Sequence, residues 1–217
     1  MSHPGGRSLP AVRSSDASRE RWNRRWAGER AQPATAPSEF LLAEVAELRP
    51  GTALDLACGA GRNAVWLARH GWRVTAVDFS ETALRMARGL AAEAGVTIEW
   101  IEADVATWSP PPLAYDLVCV FYLQLPPLER KAALAHATAA VCPGGTLLVV
   151  GHDLLNLTEG WGGPTQADVL FTPDDVVAEI GGLEVEKAGR VRRVVEDAAA
   201  GRAALDALVR ARRPSRA

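Results

Sequence analysis

No stretch of the chain approaches the ~18 consecutive apolar residues that a membrane-spanning helix requires. Cysteine is scarce: Cys58, Cys119 and Cys142 are the only three, far apart and without CxxC spacing. That excludes a disulfide framework and the common zinc sites; no metal is expected, and a reducing, cytoplasmic compartment is. One-sided charge is missing as well. The 24 Lys and Arg nearly balance the 26 Asp and Glu, for a net charge of −2. No global field would draw the chain to nucleic acid or to an anionic membrane. Arg210, Arg212, Arg213 and Arg216 are locally basic, but no aromatics are interleaved, so 213–217 reads as a solvated basic tail. The N-terminus lacks the apolar core of a secretory signal. Its Ser and Arg, broken by Pro4, Gly5, Gly6, Pro10 and Asp16, fit a disordered tail over 1–20 better than a transit peptide. No internal repeat is present.

What is there is ordinary globular sequence: 217 residues, 48% hydrophobic and 23% charged, enough for one domain with a sizeable core. A short segment over 21–37 holds Trp22-Asn23-Arg24-Arg25-Trp26, and a domain over 38–212 follows. Ser38 to Leu48 carries Phe40, Leu41, Val45 and Leu48 at helical spacing. Strands and helices then alternate. Strands are expected at Ala53–Ala57, Arg73–Val77, Thr97–Ile101, Asp116–Phe121 and Thr146–Val150. Helices are expected at Arg62–His70, from Ser80 to Gly95, at Leu128–Val141, and from Thr172 to Gly181. Pro143-Gly144-Gly145 is read as a stop between a helix and the fifth strand. Leu183–Val195 and Ala204–Ala211 read as two final strands, although the last fits a helix equally well. Five βα units imply a parallel sheet, doubly wound by right-handed crossovers, with helices on both faces.

The chemistry is written where the first strand runs into two glycines and a helix, at Asp55-Leu56-Ala57-Cys58-Gly59-Ala60-Gly61-Arg62-Asn63. Glycine permits the tight turn and a close ligand, and the helix start offers free N–H groups. Asp78 ends the second strand, where a carboxylate can accept both hydrogen bonds of a ribose diol. Ser80 is the better cap of the helix that follows. Asp104 ends the third strand beside Val105 and can receive an adenine amino group.

Gly59-x-Gly61-x-x-Ala64 also fits a dinucleotide fingerprint, which makes an NAD-dependent oxidoreductase the alternative. Two features oppose it. Asp55 would sit beneath the phosphates, whereas it suits a ligand that brings an amino group and a sulfonium. Neither Tyr115 nor Tyr122 is followed by Lys at the YxxxK spacing of a short-chain dehydrogenase.

The stretch Asp55–Asn63 resembles motif I of the class I S-adenosylmethionine-dependent methyltransferases. Val77-Asp78-Phe79-Ser80, Glu102-Ala103-Asp104-Val105, Tyr115-Asp116-Leu117-Val118-Cys119-Val120-Phe121 and the turn Pro143-Gly144-Gly145 resemble the later motifs, in the family's order over roughly 38–195. With Trp22–Trp26 upstream, the pattern is similar to the small-molecule, tellurite-resistance and thiopurine-type branch. The resemblance implies a Rossmann-like, mostly parallel seven-stranded sheet with its last strand antiparallel. It implies S-adenosylmethionine as cofactor, leaving S-adenosylhomocysteine. The implied cofactor-binding set is Trp26, Asp55, Ala57, Gly59, Gly61, Arg62, Asn63, Asp78, Phe79, Ser80, Asp104, Val105 and Phe121. Within it the Gly59–Gly61 region holds the methionine part, Asp55 its ammonium and Arg62 its carboxylate. Asp78 holds the ribose, Asp104, Val105 and Phe79 the adenine, and Trp22 with Trp26 forms a flap over the sulfonium.

Methyl transfer from a sulfonium is a direct displacement that needs alignment, and a general base only when the acceptor is protonated. Acceptors bind at strand carboxyl ends. That selects Tyr122, His152 and Asp153 as candidate catalytic residues, with His152 as base and Asp153 beside it, and a loop over 151–171 as acceptor lid. The expected partner is a small-molecule acceptor, not nucleic acid or membrane, and the chain a monomer or homodimer. A protein that binds the cofactor without turnover is a third reading, since no obligatory catalytic residue is visible.

Overall fold

Apolar and β-branched runs become strands, and amphipathic stretches become helices, in the computed structural model, which describes residues 14–28, 35–194 and 203–215. The strands are β1 (Thr52–Leu56), β2 (Arg73–Asp78), β3 (Glu99–Glu102), β4 (Tyr115–Phe121), β5 (Val141–His152), β6 (Glu184–Val194) and β7 (Ala203–Arg212). The helices are α1 (Ser14–Ala27), α2 (Glu39–Val45), α3 (Arg62–Arg69), α4 (Glu81–Ala94), α5 (Pro127–Ala140), α6 (Asn156–Glu159) and α7 (Pro173–Glu179). They build one seven-stranded sheet in the order β3-β2-β1-β4-β5-β7-β6. β1 through β5 pair in parallel, and β7 runs antiparallel between β5 and β6. This is the expected Rossmann-like sheet with an antiparallel last strand.

Strand side chains alternate between faces, so the central strands feed two core layers. Leu54, Leu56, Val118 and Val120 pack with Leu134 and Ala137 of α5 and Val176 of α7. Ala53, Leu117, Cys119 and Phe121 pack with Leu41 of α2 and Ala64 and Leu67 of α3. Because the chain leaves β1 toward β2 and later returns to β4 on its other side, a crevice opens at the carboxyl ends of β1 and β4. Every loop carrying a site residue leaves from that edge.

Local signals explain most element ends. Ser80 accepts the Ala83 N–H and caps α4. Thr172 and Asp175 form a reciprocal capping box on α7, with Pro173 in its first turn. No helix among the described residues is long and apolar enough to cross a membrane.

Three expectations change, and one open reading is settled. α1 starts at Ser14, inside the stretch expected to be disordered; packing of its far half on α4 orders it, and Arg24 and Arg25 suit its C-terminal end. Residues 1–13 and 29–34 lie outside the described residues, as do Val195 and Ala198 to Ala200. Pro143-Gly144-Gly145 does not precede β5 but lies within it. The extra length is absorbed by a register shift against β4, and Gly144 and Gly145 exchange backbone hydrogen bonds with Arg213. The ambiguous Ala203–Arg212 is a strand, because it is paired on both edges and buried on both faces, which overrides the helical preference of alanine. Finally, the 151–171 loop carries α6, a 3₁₀ turn at Ala167–Val169 and a bridge between Asp153 and Phe171.

Candidate functional site

The crevice holds a cavity of about 650 Å³. Its floor is the end of β1 and the following turn: Asp55, Ala57, Cys58, Gly59, Ala60, Arg62 and Asn63. Asp78 and Phe79 at the tip of β2 form one wall, and Phe121 at the end of β4 with the following residues to Leu125 the other. Trp22, Arg25 and Trp26 of α1, with Gly28, close the top. Trp22 and Trp26 are four residues apart and therefore share a helix face. Asn23 ties that helix down: its side-chain oxygen accepts from Ser80 Oγ at 2.6 Å, while Trp26 lies over Gly59.

Asp78 shapes the turn as well as lining the cavity. One carboxylate oxygen accepts the Gly59 N–H at 2.8 Å and the other the Ser80 N–H at 2.9 Å. Burial raises its pKa, against those backbone hydrogen bonds. Gly61 has φ +82°, and a Cβ there would stand 2.9 Å from both the Ala87 methyl and the Trp100 ring. It is therefore a packing glycine between α3 and α4 and does not line the cavity.

Asp55 is the electrostatic anomaly. It is buried, and one of its oxygens has no partner. Burial, then the neighbouring Asp78 carboxylate, raises its pKa from 3.8 to about 7, with Arg62 and the Ala64 N–H opposing. A cavity floor with two buried carboxylates, one half-satisfied, suits a ligand that arrives with its own positive charge.

The other expected residues divide. Asn63 lines the cavity and also accepts the Ser38 N–H at 2.9 Å. Ser80 is fully buried as a helix cap. Asp104 and Val105 do not line the cavity: Asp104 accepts the Ala106 N–H at 3.0 Å, and Val105 packs into the core. On the acceptor side, Tyr122 lines the cavity, whereas His152 stands behind it, its ring centroid 5.2 Å from that of Tyr122.

The structure does not bring the side chains of His152 and Asp153 together. Consecutive strand residues point to opposite faces. Asp153 is buried, salt-bridged to Arg190 at 2.8 Å and bonded to the Leu155 N–H. The carboxylate beside His152 is Asp206, its direct partner across the β5–β7 ladder, 3.2 Å from Nδ1. Asp206 is fully buried; its other oxygen accepts from the Tyr122 hydroxyl at 2.9 Å and from Arg193 at 2.8 Å. Tyr122 is consequently a poor base: burial, then the Asp206 charge, pushes its hydroxyl pKa well up. Sequence reading missed Asp206 and Arg193. The available signal was one acid inside the apolar run Ala203 to Val209, but without a settled strand no register could link it to His152.

A family model described as a methyltransferase domain matches residues 53–145, the span from β1 to the beginning of β5. An uncharacterised methyltransferase of Mycobacterium tuberculosis is 39% identical over 123 residues, covering 56% of this chain and 61% of that protein. A trans-aconitate 2-methyltransferase of Sinorhizobium medicae is 34% identical over 125 residues, covering 56% of this chain and 46% of the relative. The chain thus spans less than two thirds of the length of these curated relatives. Among solved structures, the N-methyltransferase NodS of Bradyrhizobium japonicum, in complex with S-adenosylhomocysteine, superposes with a TM-score of 0.71 at 18% identity, covering 92% of this chain and 100% of that one. At that identity the likeness speaks for the fold.

Proposed function

We infer that this chain, a member of the class I S-adenosylmethionine-dependent methyltransferases, moves the cofactor's methyl group to a small-molecule acceptor by direct displacement. The observation that carries this reading is Asp55, a buried carboxylate with one unpartnered oxygen on the cavity floor. A ligand with an ammonium beside a sulfonium satisfies it. Dinucleotide binding would instead bring a pyrophosphate over Asp55 and Asp78, against two buried acids.

S-adenosylmethionine supplies an already activated methyl group; the protein supplies place and orientation. Asp55 and the turn at Gly59 receive the amino acid part, and Arg62 at the start of α3 its carboxylate. Asp78, Phe79, Asp104 and Val105 receive the nucleoside, the last two from outside the described cavity. Trp22 and Trp26 form the flap. Phe121, Tyr122 and Gln124 shape the acceptor side, with the 151–171 loop as its lid. Balanced charge favours a small acceptor over nucleic acid. The unpaired thiols fit a cytoplasmic setting.

Titration calorimetry tests the reading: S-adenosylhomocysteine should bind in the micromolar range and NADH should not. No heat from the folded protein with S-adenosylhomocysteine rejects it. Asp78→Ala should weaken that binding by about 1–3 kcal/mol, through lost charge-assisted bonds and a turn no longer held at Gly59. Unchanged affinity would remove Asp78 from the site.

A further inference from the structure

Of the group around Asp206 only Tyr122 lines the cavity; His152, Arg193 and Asp206 stand behind the acceptor wall. Four strands place it: Tyr122 follows β4, His152 ends β5, Arg193 lies on β6 and Asp206 on β7. Tyr122 is itself held in an uncommon backbone conformation, φ +56°, with its N–H bonded to the Val150 carbonyl. Its ring lies under the guanidinium of Arg193, 5.3 Å from the centroid, and that of Arg62 at 5.9 Å.

The hydrogen bonds around Asp206 leave one arrangement. Oδ2 is taken by the Tyr122 hydroxyl and by Arg193 Nε. Oδ1 has no partner except the approach of His152 Nδ1 at 3.2 Å, and Nδ1 has no other neighbour to bond. Two buried acceptors facing each other would both be unsatisfied, so the proton belongs on Nδ1. Burial raises the pKa of Asp206, but His152 and Arg193 together more than offset it and hold the carboxyl below its ordinary range. The lid holds the ring in place from outside. Gly163 has φ +81°, and a Cβ there would lie 2.9 Å from Nδ1 and Cε1, so backbone packs directly on the imidazole. Asn156 anchors that segment, accepting the Leu205 N–H and donating to the Gly162 carbonyl, both at 2.7 Å.

We propose that Asp206 is the positioning residue of a His152–Asp206 pair, fixing the imidazole as its Nδ1–H tautomer so that Nε2 keeps its lone pair for a proton leaving the acceptor. The base role rests on the methyl-transfer reading above; the tautomer does not. His152 does not line the cavity, so the acceptor must reach past Tyr122; its O–H, N–H or S–H proton would then pass to Nε2, with no other bond to the protein formed.

The test is a long-range ¹H–¹⁵N correlation spectrum of ¹⁵N-labelled full-length protein at about pH 9, above the ordinary imidazole range, with His152→Gln assigning the signal. Wild type should show a protonated Nδ1 and a bare Nε2. In Asp206→Asn, Tyr122 and Arg193 still require an oxygen, so the amide NH₂ faces Nδ1 and the tautomer should reverse. Asp153→Asn should leave it unchanged. A wild-type Nε2–H, or a tautomer that ignores Asp206→Asn or follows Asp153→Asn, overturns the proposal. Should Asp206→Asn fail to fold, the wild-type and Asp153→Asn spectra still decide. S-adenosylhomocysteine titrated into the same samples separates the two readings: the expected tautomer without binding sinks methyl transfer and with it the base role.

Discussion

Replacing Asp55 by Asn is expected to raise the melting temperature of the ligand-free protein at about pH 8 and, in the same protein, to weaken S-adenosylhomocysteine binding. The folded-state pKa of about 7 lies above the ordinary 3.8. Below pH 3.8 both folded and unfolded chains are protonated, and the group costs nothing. As pH rises the unfolded chain ionises first, so stability falls until the folded carboxyl also ionises near 7. Above that the penalty is constant, at most roughly 4 kcal/mol. Asn removes it while keeping an acceptor for the Ala64 N–H. The gain should be several degrees, on the order of 10 °C at most, near pH 8 and should vanish near pH 4. Binding should lose about 1.5–3 kcal/mol, because a charge-assisted bond becomes a neutral one. In wild type the affinity should fall as pH drops below about 7, since a proton then competes with the ligand's cation. Melting curves that respond equally at both pH values, or an Asp55→Asn protein with undiminished affinity, would contradict this account.

Gly61→Val should be the most damaging single change in the glycine turn, through folding and not through ligand contact. The valine must adopt a left-handed backbone at φ +82° and place Cβ 2.9 Å from Ala87 and Trp100. The conformation costs about 1–2 kcal/mol and the overpacking about 1–3 more. An unfolding free energy lowered by about 2–5 kcal/mol, seen as a lower urea midpoint with an unchanged slope, is the expected outcome. Gly59→Ala is the contrast. Its Cβ would meet only the Trp26 ring, at 3.2 Å, which α1 can yield. Gly59 is also left-handed, at φ +55°, so alanine there should cost about 1–2 kcal/mol of stability without the added overpacking, and its larger effect should appear in ligand affinity. Equal stability losses for the two variants would mean that both glycines serve packing.

Much of the sheet was legible because buried parallel strands announce themselves as short apolar runs between turn residues. Asp55, Gly59 and Asp78 were legible for a related reason: strand ends, a turn and a helix start occupy consecutive positions, so their juxtaposition is nearly local. Asp104 was read by the same logic; it lies outside the cavity, and one of its oxygens accepts the Ala106 N–H of its own loop. A short acid after a strand can satisfy its neighbouring N–H as readily as a ligand. Gly61 was read as a ligand glycine, although its constraint comes from α4, twenty-six residues on at Ala87.

By itself the sequence determined the alternation of strand and helix, the doubly wound sheet, and the carboxylate-rich floor under a glycine turn, all set by neighbours close along the chain. Only the tertiary structure decided that Ala203–Arg212 is a strand, that the expected Trp22–Trp26 flap is carried by a helix starting at Ser14, and that His152 faces Asp206 and not Asp153. Those outcomes depend on pairing between segments far apart in sequence. There, burial and ladder register outweigh local preference, and a shift of one residue sends a side chain to the opposite face.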